Sequence, residues 1–217
     1  MPVIWKGDYT VQNIQINLRR DFEREPLEMN CIEYIFSKTT LSPGNRMKAM
    51  GIREAIATLG SEIGNPNVGL PQDVFLFASR LLPLVNVDLL VKDNAGKTLL
   101  TWRDDQFAGT GWHLPGGILR FKETLEERLR KVAISELGTE LIAEPAPMAM
   151  HQFIDPKPER KERGHFISFL YRCHVQDGFS LDMANSGRSP GEPGYAMWHA
   201  KCPDNLIKAH SEYRKYF

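Results

Sequence analysis

The stretch that decides the fold is Leu114-Pro-Gly-Gly-Ile-Leu-Arg-Phe-Lys-Glu-Thr-Leu-Glu-Glu-Arg-Leu-Arg-Lys-Val-Ala-Ile-Ser-Glu-Leu-Gly138. It opens with a Pro-Gly-Gly loop, whose backbone can adopt conformations closed to other residues and can approach a ligand closely. Thr124 and Glu127 have the spacing of a capping box, in which side chain and backbone bond reciprocally at a helix start. Gly138 stands where a left-handed residue ends a helix. The stretch therefore predicts an accessible loop followed by a helix from Leu125 to Leu137.

One face of this helix carries three apolar residues and a carboxylate. At about 100° per residue, Leu125, Leu129, Val132 and Glu136 lie on one stripe. A buried carboxylate without a partner is costly. Either the stripe ends at the last turn and Glu136 reaches solvent, or Glu136 is held in place to bind a hard divalent cation, which would remove the cost.

Segments rich in β-branched residues lie on both sides of the helix. The turn at Asp93-Asn-Ala-Gly96 joins the first two, and helical spacing of apolar residues precedes them. Strands before and after a central helix predict the α+β class, as a mixed α/β/α sandwich. The predicted strands are 84–92, 98–103, 148–154, 165–175 and 195–199, and the flanking helices are 72–82 and a last helix from about Asp204 through Tyr213.

The chain before residue 70 has a different character. Turn residues cluster at 42–44 and at 60–69, and apolar residues between Met47 and Leu59 suggest a helix. No residue pattern there indicates chemistry. We interpret residues 1–69 as an N-terminal extension, with dimerisation as one role, and residues 70–217 as the catalytic domain.

Composition excludes several classes of protein. The 217 residues carry 27 basic and 27 acidic side chains, which argues against binding nucleic acid through bulk charge. No apolar run has the length of a membrane span or the form of a signal peptide. Three widely spaced cysteines, Cys31, Cys173 and Cys202, exclude a disulfide scaffold and suit the cytoplasm.

The helix and its loop resemble the Nudix box, G-x5-E-x7-R-E-U-x-E-E-x-G-U with U aliphatic. The matching positions are Gly117, Glu123, Glu136 and Gly138, with Lys131 at the arginine position and Val132, Ser135 and Thr139 as departures. The resemblance implies a Nudix fold, with Gly117, Glu123, Lys131 and Gly138 as structural box residues, and a metal-dependent hydrolase. Because two box glutamates are missing, it implies one Mg²⁺ rather than a cluster, with Mn²⁺ as an alternative.

A similar reduced box occurs in the GDP-mannose mannosyl hydrolase branch, and residues 83–103 also resemble its first hairpin. That branch hydrolyses at the sugar carbon. The resemblance implies that the Gly116 carbonyl and the Glu136 and Glu192 carboxylates bind the metal. It further implies that Arg103 holds the diphosphate and that Asp88 accepts hydrogen bonds from sugar hydroxyls, so the catalytic set is Glu192, Arg103 and Asp88.

At two positions this sequence differs from the sequences of that branch. Ile118 replaces its second arginine, and Pro193 replaces its catalytic histidine. The base is then Glu192 itself or a histidine brought near in space. The charged run 157–163 is either a solvated hairpin loop or a segment that brings Arg160 or Arg163 to the substrate's phosphates.

These patterns lead to one principal hypothesis and two alternatives. The principal one is a Mg²⁺-dependent hydrolase of a small-molecule nucleotide sugar, similar to GDP-mannose, that releases the sugar and a nucleoside diphosphate. The second is a Nudix pyrophosphatase that attacks phosphorus, and the third is a non-catalytic nucleotide-binding module. By analogy with dimeric relatives, we expect a homodimer.

Overall fold

The computed structural model describes residues 51–157 and 161–217. The helices are α1 (Ile52–Ile63), α2 (Gln72–Ala78), α3 (Leu125–Leu137) and α4 (Leu181–Ala184), with 3₁₀ segments at Pro66–Val68 and Lys208–Tyr216. The strands are β1 (Leu84–Lys92), β2 (Thr98–Asp105), β3 (Gly109–His113), β4 (Gly116–Ile118), β5 (Leu141–Ala143), β6 (Ala149–Ile154), β7 (His165–Val175) and β8 (Ala196–His199).

The strands form one mixed sheet. Its central order is β3-β2-β1-β7-β5, and β4 pairs with β1, β6 with β7 and β8 with β2. Strands β1 and β7 run parallel along their length, from Leu84 opposite Phe166 to Lys92 opposite His174. The other pairs are antiparallel. The predicted α+β class is confirmed.

The alternation of side chains along β1 divides the interior into two layers. Val87, Leu89 and Val91 are buried against α3, in a core that includes Leu129 and Val132 of that helix. On the opposite face, Leu90 packs with residues of the C-terminal 3₁₀ segment and its approach, namely Leu206 and Tyr213. The sheet therefore lies between α3 and the C-terminal segment, which is the predicted sandwich.

Helix α3 has the bounds and caps that its sequence predicts. The amide of Glu127 donates to Thr124 Oγ1 at 3.1 Å, and the Glu127 carboxylate accepts from the amide of Thr124 at 2.8 Å. Gly138 ends the helix in the left-handed region, with φ of 68°. The cap fixes where the helix starts, and therefore which side chains its last turn presents to the sheet.

The double glycine belongs to strand β4 rather than to a loop alone. Gly116 lies opposite Asp88 of β1, and a Cβ at Gly116 would overlap the Asp88 carboxylate. A Cβ at Gly117 would lie 2.7 Å from Val132 Cγ2 on α3. Both glycines are required because β4 fits between a strand and a helix. The sequence alone explains these glycines only by the conformational freedom of a loop.

Other element boundaries differ from the predictions for local reasons. Helix α2 ends at Ala78 and not at Leu82, because Pro83 disfavours helical geometry in the residue before it. The last helix is a 3₁₀ segment that begins at Lys208, and Ile207, His210 and Tyr213 repeat every third residue, which is its period. Strands β3, β4 and β5 and helix α4 were not predicted, since each is short.

Most of the predicted N-terminal extension lies outside the described residues. Helix α1 overlaps the end of the helix predicted between Met47 and Leu59 and continues to Ile63. The boundary at residue 70, the dimerisation role and the homodimer stay predictions. Among residues 51–157 and 161–217, no helix combines the length and apolar character needed to cross a membrane.

Candidate active site

The carboxylate of Glu136 lies on the inner side of the last turn of α3. Its Oε1 accepts from the Gly116 amide at 3.2 Å, and its Oε2 accepts from Thr101 Oγ1 at 3.1 Å. The side chain is 22% exposed. Burial raises the pKa of Glu136 to about 7, against the opposing effect of the Gly116 hydrogen bond and of the Arg103 charge. The buried face of the helix therefore continues to its last turn. This is what the interpretation of Glu136 as a cation ligand requires.

His113, the last residue of β3, faces the same carboxylate. Its Nδ1 lies 2.8 Å from the carbonyl oxygen of Thr101, which can only accept, so Nδ1 carries the proton of the neutral ring. Nε2 then carries a lone pair and lies 3.7 Å from Glu136 Oε2. Burial lowers the pKa of His113 to about 3, and the nearby Arg103 charge lowers it further. The ring is neutral at physiological pH.

Asp88 is buried in the middle of β1, on the sheet face opposite α3. Its Oδ1 accepts from Asn86 Nδ2 at 2.7 Å, and the Tyr213 hydroxyl donates to Oδ2. Burial raises the pKa of Asp88 to about 6, although the hydrogen bonds from Tyr213, Ser168 and Asn86 act in the opposite direction. This carboxylate is held in a network and titrates near neutral pH.

A second histidine lies beside Asp88. His210 Nδ1 accepts from the Leu114 amide at 3.1 Å, so its Nε2 carries the proton, 3.9 Å from Asp88 Oδ1. The rings of His113 and His210 stack with centroids 6.0 Å apart. Burial holds the pKa of His210 well below its ordinary value.

Two cavities meet at this cluster. The main cavity, of about 210 Å³, contains Asp88 and His210 in its wall, and the side cavity, of about 250 Å³, contains Glu136. Arg103 and His113 line both cavities. Further residues of the main cavity include Asn86, Phe107, Gly116, Ile118, Phe153, Arg163 and Ser168, and those of the side cavity include Trp102, Asp105, Arg188, Pro193 and Gly194.

Arg103 is anchored where the cavities meet. It lies in β2 opposite Gly111, and its Nε is 3.5 Å from Asp105 Oδ2. The amides of Phe107 and Ala108 both donate to Asp105 Oδ1 at 2.7 Å. The carboxylate is thus fixed by backbone and in turn positions the guanidinium.

Arg163 also reaches the main cavity. Its guanidinium carbon lies 4.7 Å from the centroid of the Phe107 ring, and its amide donates to Ser79 Oγ at 3.0 Å. Ile118, which stands where the GDP-mannose mannosyl hydrolase branch has its second arginine, lines the same cavity. The hypothesis that the 157–163 run carries an arginine to the site therefore has a geometric basis at Arg163, while Arg160 lies outside the described residues.

Glu192 lies apart from these groups. Its side chain is exposed and accepts from the Ser189 amide at 2.6 Å within its own turn, whereas the next residues, Pro193 and Gly194, line the side cavity. The structure brings Asp88, Arg103, Gly116 and Glu136 together and does not bring Glu192 to them. The Gly116 amide, rather than its carbonyl, faces Glu136. The metal-ligand roles of Gly116 and Glu192 stay predictions.

Glu123 links the loop before α3 to the helix. Its carboxylate is 3% exposed and accepts from Lys131 Nζ at 2.8 Å, from Arg128 Nε at 2.7 Å and from the Arg120 amide at 3.0 Å. Burial acts to raise its pKa, but these donors lower it to about 2. These hydrogen bonds hold the loop that precedes α3 against the helix.

Residues 82–198, more than half of the chain, match the NUDIX domain. The chain belongs to the Nudix family of hydrolases. Members of this family generally use divalent metal ions such as Mg²⁺. Among the described residues of this Nudix domain, no group of three or more His, Cys, Asp or Glu side chains is arranged to hold an ion. Glu136 is a largely buried carboxylate that could bind such an ion.

One curated relative and two solved structures illustrate the similarity. The low-salt glycan biosynthesis protein Agl8 of Haloferax volcanii is 28% identical over 141 residues, which cover 64% of this chain and 90% of the relative. A MutT NUDIX hydrolase from Burkholderia pseudomallei matches with TM-score 0.49 and 21% identity, over 62% of this chain and 98% of its own. A possible asymmetric diadenosine tetraphosphate hydrolase from Jonesia denitrificans matches with TM-score 0.48 and 20% identity, over 63% and 92%. At these values neither structure bears on the substrate of this chain.

Several site residues were not identified from the sequence. His113 directly precedes Leu-Pro-Gly-Gly, so its position beside the box was a usable signal. Thr101, Ser168 and His210 come from distant segments and no local pattern marks them. Their proximity depends on the pairing of β1 with β7 and on the return of the C-terminal segment.

Proposed function

We propose that this Nudix domain hydrolyses nucleoside diphosphate sugars of the GDP-mannose type, by attack of water at the sugar carbon. The observation that carries the proposal is that Arg103 lines two adjoining cavities, with Glu136 in one wall and Asp88 in the other. A cation between two carboxylates suits a substrate whose diphosphate lies at the junction. The name of the Haloferax relative refers to glycan biosynthesis, a process that consumes nucleotide sugars, and this adds support.

The diphosphate end is held by positive charge. Arg103 of β2 and Arg163 of the segment before β7 line the main cavity, and two guanidinium groups can bind phosphate oxygens through paired hydrogen bonds. We propose that Arg163 supplies the cationic contact that Ile118 lacks. A divalent ion bound at Glu136, with Mg²⁺ the expected species, would neutralise charge on the departing diphosphate.

The sugar end is held by the buried polar groups of the main cavity. Asn86, Asp88, Ser168 and His210 offer donors and acceptors around a volume of about 210 Å³, which is a suitable size for a monosaccharide ring. An unpaired hydroxyl would be costly in this setting, so the network favours a ligand that matches it. Asp88 retains its proposed role as acceptor for sugar hydroxyls.

We propose Asp88 as the general base as well. Its pKa of about 6 lies close to neutral, where a base combines the ionised state with useful basicity. His113, with a pKa of about 3, is too weak a base, and Glu192 lies outside the cavities. In the step, the Asp88 carboxylate takes a proton from water, the oxygen bonds to C1 of the sugar, and the C1–oxygen bond breaks with its electron pair leaving on the nucleoside diphosphate.

Hydrolysis in ¹⁸O-water tests this proposal. GDP-mannose and a panel of other nucleotide sugars are incubated with the protein and Mg²⁺, and products are identified by mass spectrometry. Label in the free sugar supports attack at carbon. Label in a phosphate, with nucleoside monophosphate and sugar phosphate as products, would establish the pyrophosphatase alternative. Binding without turnover across the panel, with Mg²⁺ or Mn²⁺, would establish the non-catalytic module.

A further inference from the structure

Two electron-pair donors face each other in the side cavity. Nε2 of His113 carries a lone pair and lies 3.7 Å from Oε2 of Glu136. This separation is longer than a hydrogen bond, so a proton on Glu136 does not bridge the gap. It is shorter than about 4.2 Å, the largest separation that two atoms each bonded to one ion at about 2.1 Å can have. The gap suits a cation that touches both atoms.

We propose that His113 is a metal ligand, and that His113 and Glu136 form the protein's part of a divalent site that accepts borderline ions such as Co²⁺ and Zn²⁺ as well as Mg²⁺. The proposal deepens the proposed function, because the remaining ligands are oxygens of the nucleoside diphosphate. Imidazole nitrogen favours borderline metals, whereas an all-oxygen set favours Mg²⁺. The histidine thus changes which ion the box helix selects.

Thr101 orients both donors. Its carbonyl accepts from His113 Nδ1 at 2.8 Å and its hydroxyl donates to Glu136 Oε2 at 3.1 Å. Metal-binding histidines characteristically donate their second nitrogen to a carbonyl or carboxylate in this way, which fixes the tautomer and the direction of the ring. One residue of β2 therefore holds a histidine from β3 and a glutamate from α3 in register.

Arg103 makes the site depend on nucleotide. It lines the side cavity together with His113 and Glu136, and its positive charge opposes a cation bound there. A diphosphate at the junction reverses this local charge and adds oxygen ligands. Metal and nucleoside diphosphate are consequently expected to bind together, each increasing the affinity for the other by the same factor.

Metal titrations in the presence of GDP test the proposal without any turnover. The full-length protein is titrated with Co²⁺ and with Mg²⁺ by calorimetry, with and without GDP. The key variant is His113→Asn, whose amide can still donate to the Thr101 carbonyl but has no counterpart of Nε2. We expect a loss of Co²⁺ affinity of about 100-fold, and of Mg²⁺ affinity of less than about 3-fold. His151→Asn, at a partly buried histidine of β6 outside both cavities, should match wild type.

Equal Co²⁺ affinity in wild type and His113→Asn would overturn the proposal. An equal loss of affinity for Co²⁺ and for Mg²⁺ would also overturn it, because such a loss indicates a structural role for His113. If the variant does not fold, ¹⁵N spectra of the wild-type protein with GDP decide the question. Zn²⁺ should shift the Nε2 resonance of His113, and an unshifted resonance at saturating Zn²⁺ refutes the assignment. Hydrolysis of nucleotide sugars with Mg²⁺ is independent of these outcomes, so a failure here leaves the proposed function standing.

Discussion

Replacing Glu136 by glutamine should make the metal-free protein more stable above neutral pH. The carboxyl has a pKa of 4.5 ordinarily and about 7 in the fold. Between these values the folded state keeps a proton that the unfolded chain has lost, so stability falls as pH rises through the window and is level above it. The pKa difference corresponds to about 3 kcal/mol. Because the side chain is 22% exposed, we expect a gain of about 2 kcal/mol for Glu136→Gln at pH 8.

The amide retains the local hydrogen bonds. Its oxygen can accept from the Gly116 amide in place of Oε1, and its NH₂ group can donate to Thr101 Oγ1, since a hydroxyl accepts as well as donates. The assay is urea unfolding with chelator present at pH 5 and pH 8, followed by calorimetry with metal and GDP. We expect a difference from wild type at pH 8 that shrinks at pH 5, together with loss of metal binding and of hydrolysis. Glu126→Gln, an exposed position on the same helix, should change neither. A stability difference that is the same at both pH values would refute the burial argument, and full turnover would refute the site.

Three further substitutions test the supporting structure. Gly116→Ala should lower stability by about 1–3 kcal/mol in chemical unfolding because its Cβ overlaps the Asp88 carboxylate, whereas Gly60→Ala, with open space around it in α1, should be neutral or stabilising. Thr124→Ala removes the cap that accepts from the Glu127 amide, so urea unfolding should show a loss of about 1 kcal/mol; an unchanged midpoint would mean that the cap is replaced by water. Arg163→Met should weaken GDP binding about 10-fold in calorimetry, since one charged phosphate contact is removed, and unchanged affinity would exclude Arg163 from the phosphate site.

Local signals predicted the central helix well. The capping box and Gly138 fixed both ends of α3, and both boundaries agree with the structure. The apolar stripe of this helix also predicted that Glu136 lies on the inner face. Such a prediction needs only the spacing of residues within the helix. By contrast, the strand at the double glycine was missed, because the reason for glycine lies in Asp88 and Val132, which are remote in sequence.

The polar site could be predicted only in part, for the same reason. Asp88 and Arg103 were named from resemblance, and their strands indeed bring them near Glu136. The Thr101 to His113 pairing depends on the register of β2 with β3, which no pattern in either strand specifies. Glu192 was named from spacing to the last strand, yet spacing along a loop does not determine direction, and its carboxylate turns back onto the Ser189 amide.

Gly116 connects the two carboxylates on which the proposed chemistry depends. Its amide donates to Glu136, and a Cβ at this position would overlap the Asp88 carboxylate. Burial raises the pKa of both, and both therefore destabilise the fold once ionised. A bound cation stabilises the folded state by an amount that grows with the logarithm of its concentration over its dissociation constant, and reaches about 2.7 kcal/mol at a hundred times that constant. That is comparable to the cost of ionising Glu136, so ligand binding can offset this cost. The same burial that weakens the metal-free fold thus holds two carboxyl groups where a bound cation would stabilise their ionised forms.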